Sequence, residues 1–297
     1  MAENTITGLV PDIYEALDIV SRELTGMIPS VTMNASANEA AVGQNIRVDV
    51  EPAGNVSDIT PGMVTPDPTG QTSAFTDIII TKSRAAEFGF NGEDQKGLAS
   101  GAGYQNVRAA KIAQAIRAVT NEVETDLCGL QSTFSRAFGT AGTTPFGTAN
   151  DYTDASNVLK ILKDNGAPLQ DNQLVINTTA GVNLLGKQAN VSDAGSDSIL
   201  RQGVLLDING MPIRESAQVE APVVGTSGNA VTTAGHAVGA TSIALKASGT
   251  GTILAGDVIS FAGDINKYVV VTGTGAVSGA TIVIAAPGLR QALPVGD

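Results

Sequence analysis

Tryptophan is missing from this chain of 297 residues, cysteine and histidine each occur once, and aromatic residues make up 4%. With Cys128 as the only cysteine, no intrachain disulfide can form. One Cys and one His also exclude a zinc site built on those residue types. His236 lies in a Gly/Ala/Thr-rich stretch with no nucleophile motif to serve, so it reads as a surface or turn residue. No glycine-rich piece ends in the Lys-Ser/Thr of a phosphate loop. Asp193-Ala-Gly-Ser-Asp197 lacks the long loop and closing Glu of a calcium site and reads as a plain turn. No catalytic, cofactor-binding or metal-ligating residue is assigned, and the chain is expected not to be an enzyme.

Charge is also scarce. Charged residues make up 15% of the chain, against ~25% in ordinary soluble domains. A surface this poor in charge is hard to keep soluble alone, which points to partners covering much of it. The 17 basic and 29 acidic residues leave a net charge of −12, and no run of Lys or Arg occurs. That excludes a protein gripping nucleic acid by neutralising phosphates. It leaves open a container filled by a motor, whose acidic wall would not stick to the polymer. No apolar window reaches the ~18 residues of a membrane helix. The first residues, Met1 to Gly8, show no signal peptide, so synthesis in a cytoplasm is expected.

What is present is a long helix-forming run from Tyr104 to Phe138. Ile112, Ile116, Val119, Val123, Leu127, Leu130 and Phe134 recur at steps of three or four, laying one apolar stripe along a helix. About thirty residues at ~1.5 Å each would span ~45 Å. An aspartate at Val123 or Leu127 is expected to abolish folding, because the stripe reads as buried. Arg108, Lys111 and Arg117 occupy the first half of the run, and Glu122, Glu124 and Asp126 the second. This polarity opposes the helix dipole, so these charges are read as contacts with other elements or subunits, or as a solvated face.

Before it, residues 12–25 predict an amphipathic helix with Ile13, Leu17, Val20 and Leu24 on one face. Nothing near it in sequence offers a matching face, so it reads as an N-terminal arm. Ile46, Val48 and Val50 alternate with Arg47, Asp49 and Glu51 as a half-buried strand. A return strand is predicted over Phe75–Thr81, centred on Ile78, Ile79 and Ile80. The Pro/Gly-rich connection between them is long for a compact domain, so residues 42–84 read as an extended two-stranded arm. A glycine-rich connector over 89–103 follows.

From about residue 147 the pattern is mixed α/β. A helix is predicted over Asp151–Asn165, capped by Thr153 and ended by Gly166. Gln173–Asn177 reads as a strand and Ala180–Lys187 as a helix. Val204–Ile208 and Met211–Glu215 flank Asn209-Gly210 as a predicted hairpin. Gly225–Ala234 reads as a linker. The short β runs Ser242–Leu245, Asp257–Phe261, Lys267–Thr272 and Thr281–Ala285 then predict a small sandwich or barrel.

Several phrases resemble a known family: NTITGLVPDIYEALDIVSRELTGMIPSV, the run from Gly43-Gln-Asn-Ile-Arg-Val to Phe88-Gly-Phe-Asn-Gly-Glu, Ala255-Gly-Asp-Val-Ile-Ser-Phe-Ala-Gly and Ala286-Pro-Gly-Leu-Arg. With this order of parts, the chain resembles the major capsid proteins of tailed bacteriophages that carry an inserted β domain. The resemblance implies an α+β chain of the Hong Kong 97 type capsid fold. Its parts would be an N-terminal arm (1–36), an extended β loop (37–88), a peripheral domain with the spine helix (89–146), an axial α/β domain (147–222) and an inserted small all-β domain (223–291). The family's closing strands would then be missing after 292–297. The resemblance implies a virion structural protein, assembled in the host cytoplasm. It would build pentamers and hexamers of an icosahedral shell around double-stranded DNA, with no sequence-specific binding, no cofactor and no membrane. Scaffolding, portal and decoration proteins would be further partners. Assembly contacts would come from Ile13, Leu17, Val20 and Leu24 of the arm and Ile46, Val48, Val50, Ile78 and Ile80 of the loop. Arg108, Lys111, Arg117, Glu122 and Glu124 of the spine would add to them. The alternatives are an encapsulin-like cellular shell protein, a Thr/Gly-rich tail, fibre or adhesin subunit, and a hydrolase using Asp or Glu carboxylates.

Overall fold

The computed structural model describes residues 24–33, 41–50, 73–89, 92, 104–188, 201–203, 205–227 and 232–295. It shows a mixed α/β fold with few helices and small sheets. The chain forms two compact units, Thr32–Glu87 and the remainder, Met1–Val31 with Phe88–Asp297.

The smaller unit is a hairpin in which β1 (Asn45–Val50) pairs antiparallel with β2 (Ala74–Ile79), Ile46 opposite Ile78 and Val48 opposite Thr76. The two-residue alternation of β1 is visible in burial: Ile46 and Val48 are half-buried, while Arg47 and Asp49 are exposed. Arg47 Nε lies 3.3 Å from Asp77 Oδ1, and its guanidinium sits 3.6 Å over the Phe75 ring. Such a surface pair contributes under ~1 kcal/mol. The return strand starts and ends earlier than predicted, although pairing continues past it through Ile80 N–H to Gln44 O at 3.3 Å. The connecting tip and residues 12–23 of the helix predicted over 12–25 lie outside the described residues; Leu24 and Thr25, at its predicted end, are not helical.

In the larger unit, α1 (Tyr104–Gly129) has 26 residues, or ~39 Å of axis. It ends before the predicted Phe138. A 3₁₀ turn over Leu130–Thr133 tightens the end, and Phe134 is already extended. Two side chains hold this tighter end: Thr133 Oγ1 donates to Leu130 O, and Gln131 Nε2 to Glu220 O. The predicted stripe is fully buried only at its start, Ile112, and half-buried at Ile116, Val119 and Leu127. Ala109, Ile112, Ala113, Glu124 and Cys128 are buried, whereas Val123, Leu130 and Phe134 are 45%, 51% and 53% exposed. At ~100° per residue, Glu124 and Cys128 sit about a quarter-turn from Val123 and Leu127. The premise for an aspartate abolishing folding, full burial, is therefore not met at Val123, and Leu127 is half-buried.

Next come α2 (Thr153–Asp164), β3 (Leu174–Ile176), α3 (Thr178–Lys187) and β4 (Ile213–Glu215). Asp151, not Thr153, satisfies the start of α2: its Oδ1 accepts the Thr153 N–H at 2.8 Å, while Tyr152 at the cap position makes no side-chain cap bond. Gly166, at φ +71°, ends the helix as expected. Asn177 caps α3 through Ala180 N–H at 2.8 Å. Asn209 and Gly210 both have positive φ, 54° and 76°, as the predicted tight turn requires. The hairpin does not spread beyond the Ile208–Met211 bridge. Instead β4 pairs in parallel with β3, Leu174 opposite Ile213 and Ile176 opposite Glu215. A parallel pair needs a crossover, and α3 lies in that crossover. The small core here comprises Phe146, Ala155, Ile176, Ala180, Leu184 and Met211.

The last part is one antiparallel sheet, β5 (Ser242–Ala244), β6 (Val258–Ser260), β7 (Lys267–Thr272) and β8 (Thr281–Ile284), in the order β5-β8-β7-β6. The predicted runs are thus strands, joined in a single sheet. Ile243, Tyr268, Val270, Ile282 and Ile284 form the centre of its core. Gly225, read as linker, is tied down: its N–H donates to Asp257 Oδ1 at 3.0 Å. A Cβ there would lie 2.3 Å from Thr252 O, so only glycine fits. His236 is half-buried, paired with Leu293 in an isolated bridge. It is more enclosed than a surface turn residue, and its backbone is tied to Leu293 in both directions.

Candidate functional site

The most constrained polar group sits on the α1 face turned to the interior. Glu124 is 1% exposed. Its Oε1 accepts the N–H groups of Gly26 at 2.8 Å and Met27 at 2.7 Å, and its Oε2 accepts that of Ile28 at 3.0 Å. These are the unpaired donors at the start of the 3₁₀ turn Ile28–Ser30. Burial opposes ionisation, but the bonds from Met27, Ser216, Ile28 and Gly26 outweigh it and hold the carboxyl below its ordinary value. Ser216 is placed by the sheet, since its N–H continues the β3–β4 ladder to Ile176 O at 2.9 Å.

The captured turn leaves no slack. A Cβ at Gly26 would lie 2.9 Å from both Glu215 O and Val175 Cγ1. Ser30 Oγ donates to Gly26 O at 2.6 Å and lies 3.0 Å from Gln173 Oε1, its single proton shared between the two, and Arg214 Nε donates to that same Gln173 oxygen at 2.5 Å. Helix α1, both strands of the small parallel sheet and residues 26–30 are thereby locked into one polar cluster. Beside it Cys128 is buried, its Sγ 3.9 Å from Ser216 Oγ. Burial, with the charge of Glu124, raises the thiol's pKa despite the Ser216 contact. Such a thiol is inert.

The sequence-predicted contact residues separate into three groups. Glu124 is corrected: it contacts its own chain, because burial and three amides consume its carboxylate. Leu24 and Ile78 are exposed; Ile46, Val48 and Ile80 are half-buried. Lys111 is exposed, Arg117 and Glu122 are half-buried, and each has a contact in the chain. For Val50 and Arg108 only the backbone is described, and Ile13, Leu17 and Val20 lie outside the described residues. Gly26, Ser30, Gln173 and Ser216 were not picked out from the sequence. The signal that could have found them is the acid in the wrong half of α1.

The exposed apolar side chains cluster by element. Val123, Leu130 and Phe134 follow α1, and Phe75, Ile78 and Ile79 lie on β2, whose six residues are all exposed. A cavity of about 380 Å³ lies between α2, β3 and the 138–146 loop, lined by side chains such as Val158, Val175 and Val258. Among the described residues, no group of three or more His, Cys, Asp or Glu could hold a metal ion. No described helix is long and apolar enough to cross a membrane.

No family model matches the sequence, and no curated protein matches it. In structure, the chain is similar to a solved chain from Mycobacterium phage Che8, with a TM-score of 0.52 at 14% identity. The match covers 97% of this chain and 94% of that one. Similarity at this identity concerns the fold, which the two share almost from end to end.

Proposed function

We propose that this chain is a phage structural protein, the major capsid subunit of a tailed bacteriophage, and that it works by self-assembly and not as an enzyme. The observation that carries the reading is the end-to-end structural similarity to a phage chain. In this reading the fold is of the Hong Kong 97 type: α1 is the spine helix, the β1–β2 hairpin is the extended loop, residues 147–222 are the axial domain and the β5–β8 sheet is the inserted domain.

The apolar side chains left outside on α1 and β2 would be covered by neighbouring subunits, each contact weak and multiplied over a closed shell. The net charge of −12 suits a wall that encloses double-stranded DNA without gripping it. Electron microscopy of the purified protein tests this. Closed rounded particles with five- and six-fold clusters are expected. A protein that stays monomeric at high concentration overturns the proposal, and tubes or elongated trimers would indicate a tail or fibre subunit. Closed particles that hold protein cargo and no nucleic acid when isolated from their host would indicate a cellular shell.

A further inference from the structure

A second, smaller cavity of about 160 Å³ lies where residues 136–138, the end of α2 and the turns beside β7 meet. Arg136, Lys160, Lys267 and Arg290 line it, with Asp164 as the one carboxylate. Four positive groups against one negative is a local excess of three, in a chain whose net charge is −12. Two carboxylates stand near it, and both are engaged by the protein's own donors. Asp164 is taken by Lys160 at 2.9 Å. The nearby Asp264 is taken by the Tyr268 hydroxyl at 2.5 Å and by Asn266 N–H and Nδ2 at 2.8 and 2.7 Å.

The cationic groups are held in place by neutral partners. Arg136 Nη1 donates to Ser135 O at 2.9 Å and Nη2 to Gly288 O at 3.1 Å, and its guanidinium lies 4.5 Å over the Tyr268 ring. Its Nε is buried with no acceptor. Lys267 Nζ donates to Gly139 O at 2.6 Å, and Arg290 Nη2 to Asn165 Oδ1. Carbonyls and a ring orient these heads without cancelling their charge. Burial disfavours the Arg136 charge, Tyr268 and Asp264 favour it, and Arg290 opposes it, with a lowered pKa as the result. Two guanidiniums and two ammonium groups lining one cavity, with donors beyond those the carbonyls use, match the planar or tetrahedral oxygens of an anion.

We propose that this cavity binds a small oxyanion, phosphate or carboxylate, between Arg136, Lys160, Lys267 and Arg290. The proposal does not depend on the shell reading. The test is the thermal midpoint and calorimetric binding of the full chain titrated with sodium phosphate and, separately, with glutarate, against sodium chloride at equal ionic strength. Phosphate, glutarate or both are expected to raise the midpoint beyond chloride, and the stronger of the two names the ligand class. R290Q is expected to weaken that binding about tenfold. K160Q, whose side chain is 60% exposed and pairs with Asp164, is expected to keep the fold and to weaken that binding less. Neither anion acting beyond chloride overturns the site, as does an undiminished response in both variants.

Discussion

The β5–β8 sheet and the β1–β2 hairpin use the same vocabulary of β-branched residues alternating with polar ones, yet they treat those residues in opposite ways. In the sheet, Ile243, Tyr268 and Val270 are fully buried, and Tyr268 adds a hydroxyl bonded to Asp264 and to Arg290 N–H. In the hairpin, every residue of β2 is exposed, Ile78 and Ile79 included. Two strands have no second layer to pack on, whereas four strands with flanking loops enclose a core of their own. The difference separates side chains that stabilise their own sheet from side chains left at the surface, which in the proposed reading neighbouring copies would cover.

The sharpest way to break this contrast is to place a charge in each region. Val270→Asp should cost upwards of about 3 kcal/mol and melt the sheet, read as lost thermal transition and insoluble expression. Ile78→Asp and Val123→Asp should leave the monomer's unfolding within about 1 kcal/mol of the parent while particle yield falls. A melt as severe for Val123→Asp as for Val270→Asp would mean that the α1 stripe is internal after all.

Glu124→Ala should come next in size. It strips three amides of an ionised acceptor, for a loss of about 2–3 kcal/mol, and should speed hydrogen exchange at Gly26, Met27 and Ile28. Glu124→Gln retains part of the bonding and should fall between. Because the carboxyl's folded pKa lies below its ordinary value, its contribution is complete above the unfolded value of about 4.3. It is lost as pH falls through the lower folded value, so exchange at these amides should rise only in strong acid. The smallest effect is at Cys128. Its raised pKa and burial should make labelling by a thiol reagent at neutral pH negligible until denaturant is added.

Much of the local structure was legible. Gly166 ending α2, Asn209-Gly210 turning back and the four late β runs all lie where neighbouring residues dictate the backbone. The misses have physical causes. Thr153 looked like a cap, but Asp151 two residues earlier already satisfies its amide. The strand after Asn209-Gly210 was assigned to the preceding segment, but β3, some forty residues away, takes its hydrogen bonds. Gly225 looked like linker because sequence does not show Thr252 O and Asp257 converging on it. The oxyanion cavity was invisible for the same reason, since Arg136, Lys160, Lys267 and Arg290 come from four separated stretches.

The sequence by itself determined the kinds of element, because periodicity and turn residues act over a few positions, and its single Cys and His exclude a zinc site built on those residue types. Which face of α1 turns inward was decided only by tertiary structure. An apolar stripe states what a helix can bury, but only its start at Ile112 is fully buried, and further along the interior was claimed by Glu124, whose charge is tolerated there because Gly26, Met27 and Ile28 present three amide hydrogens to it.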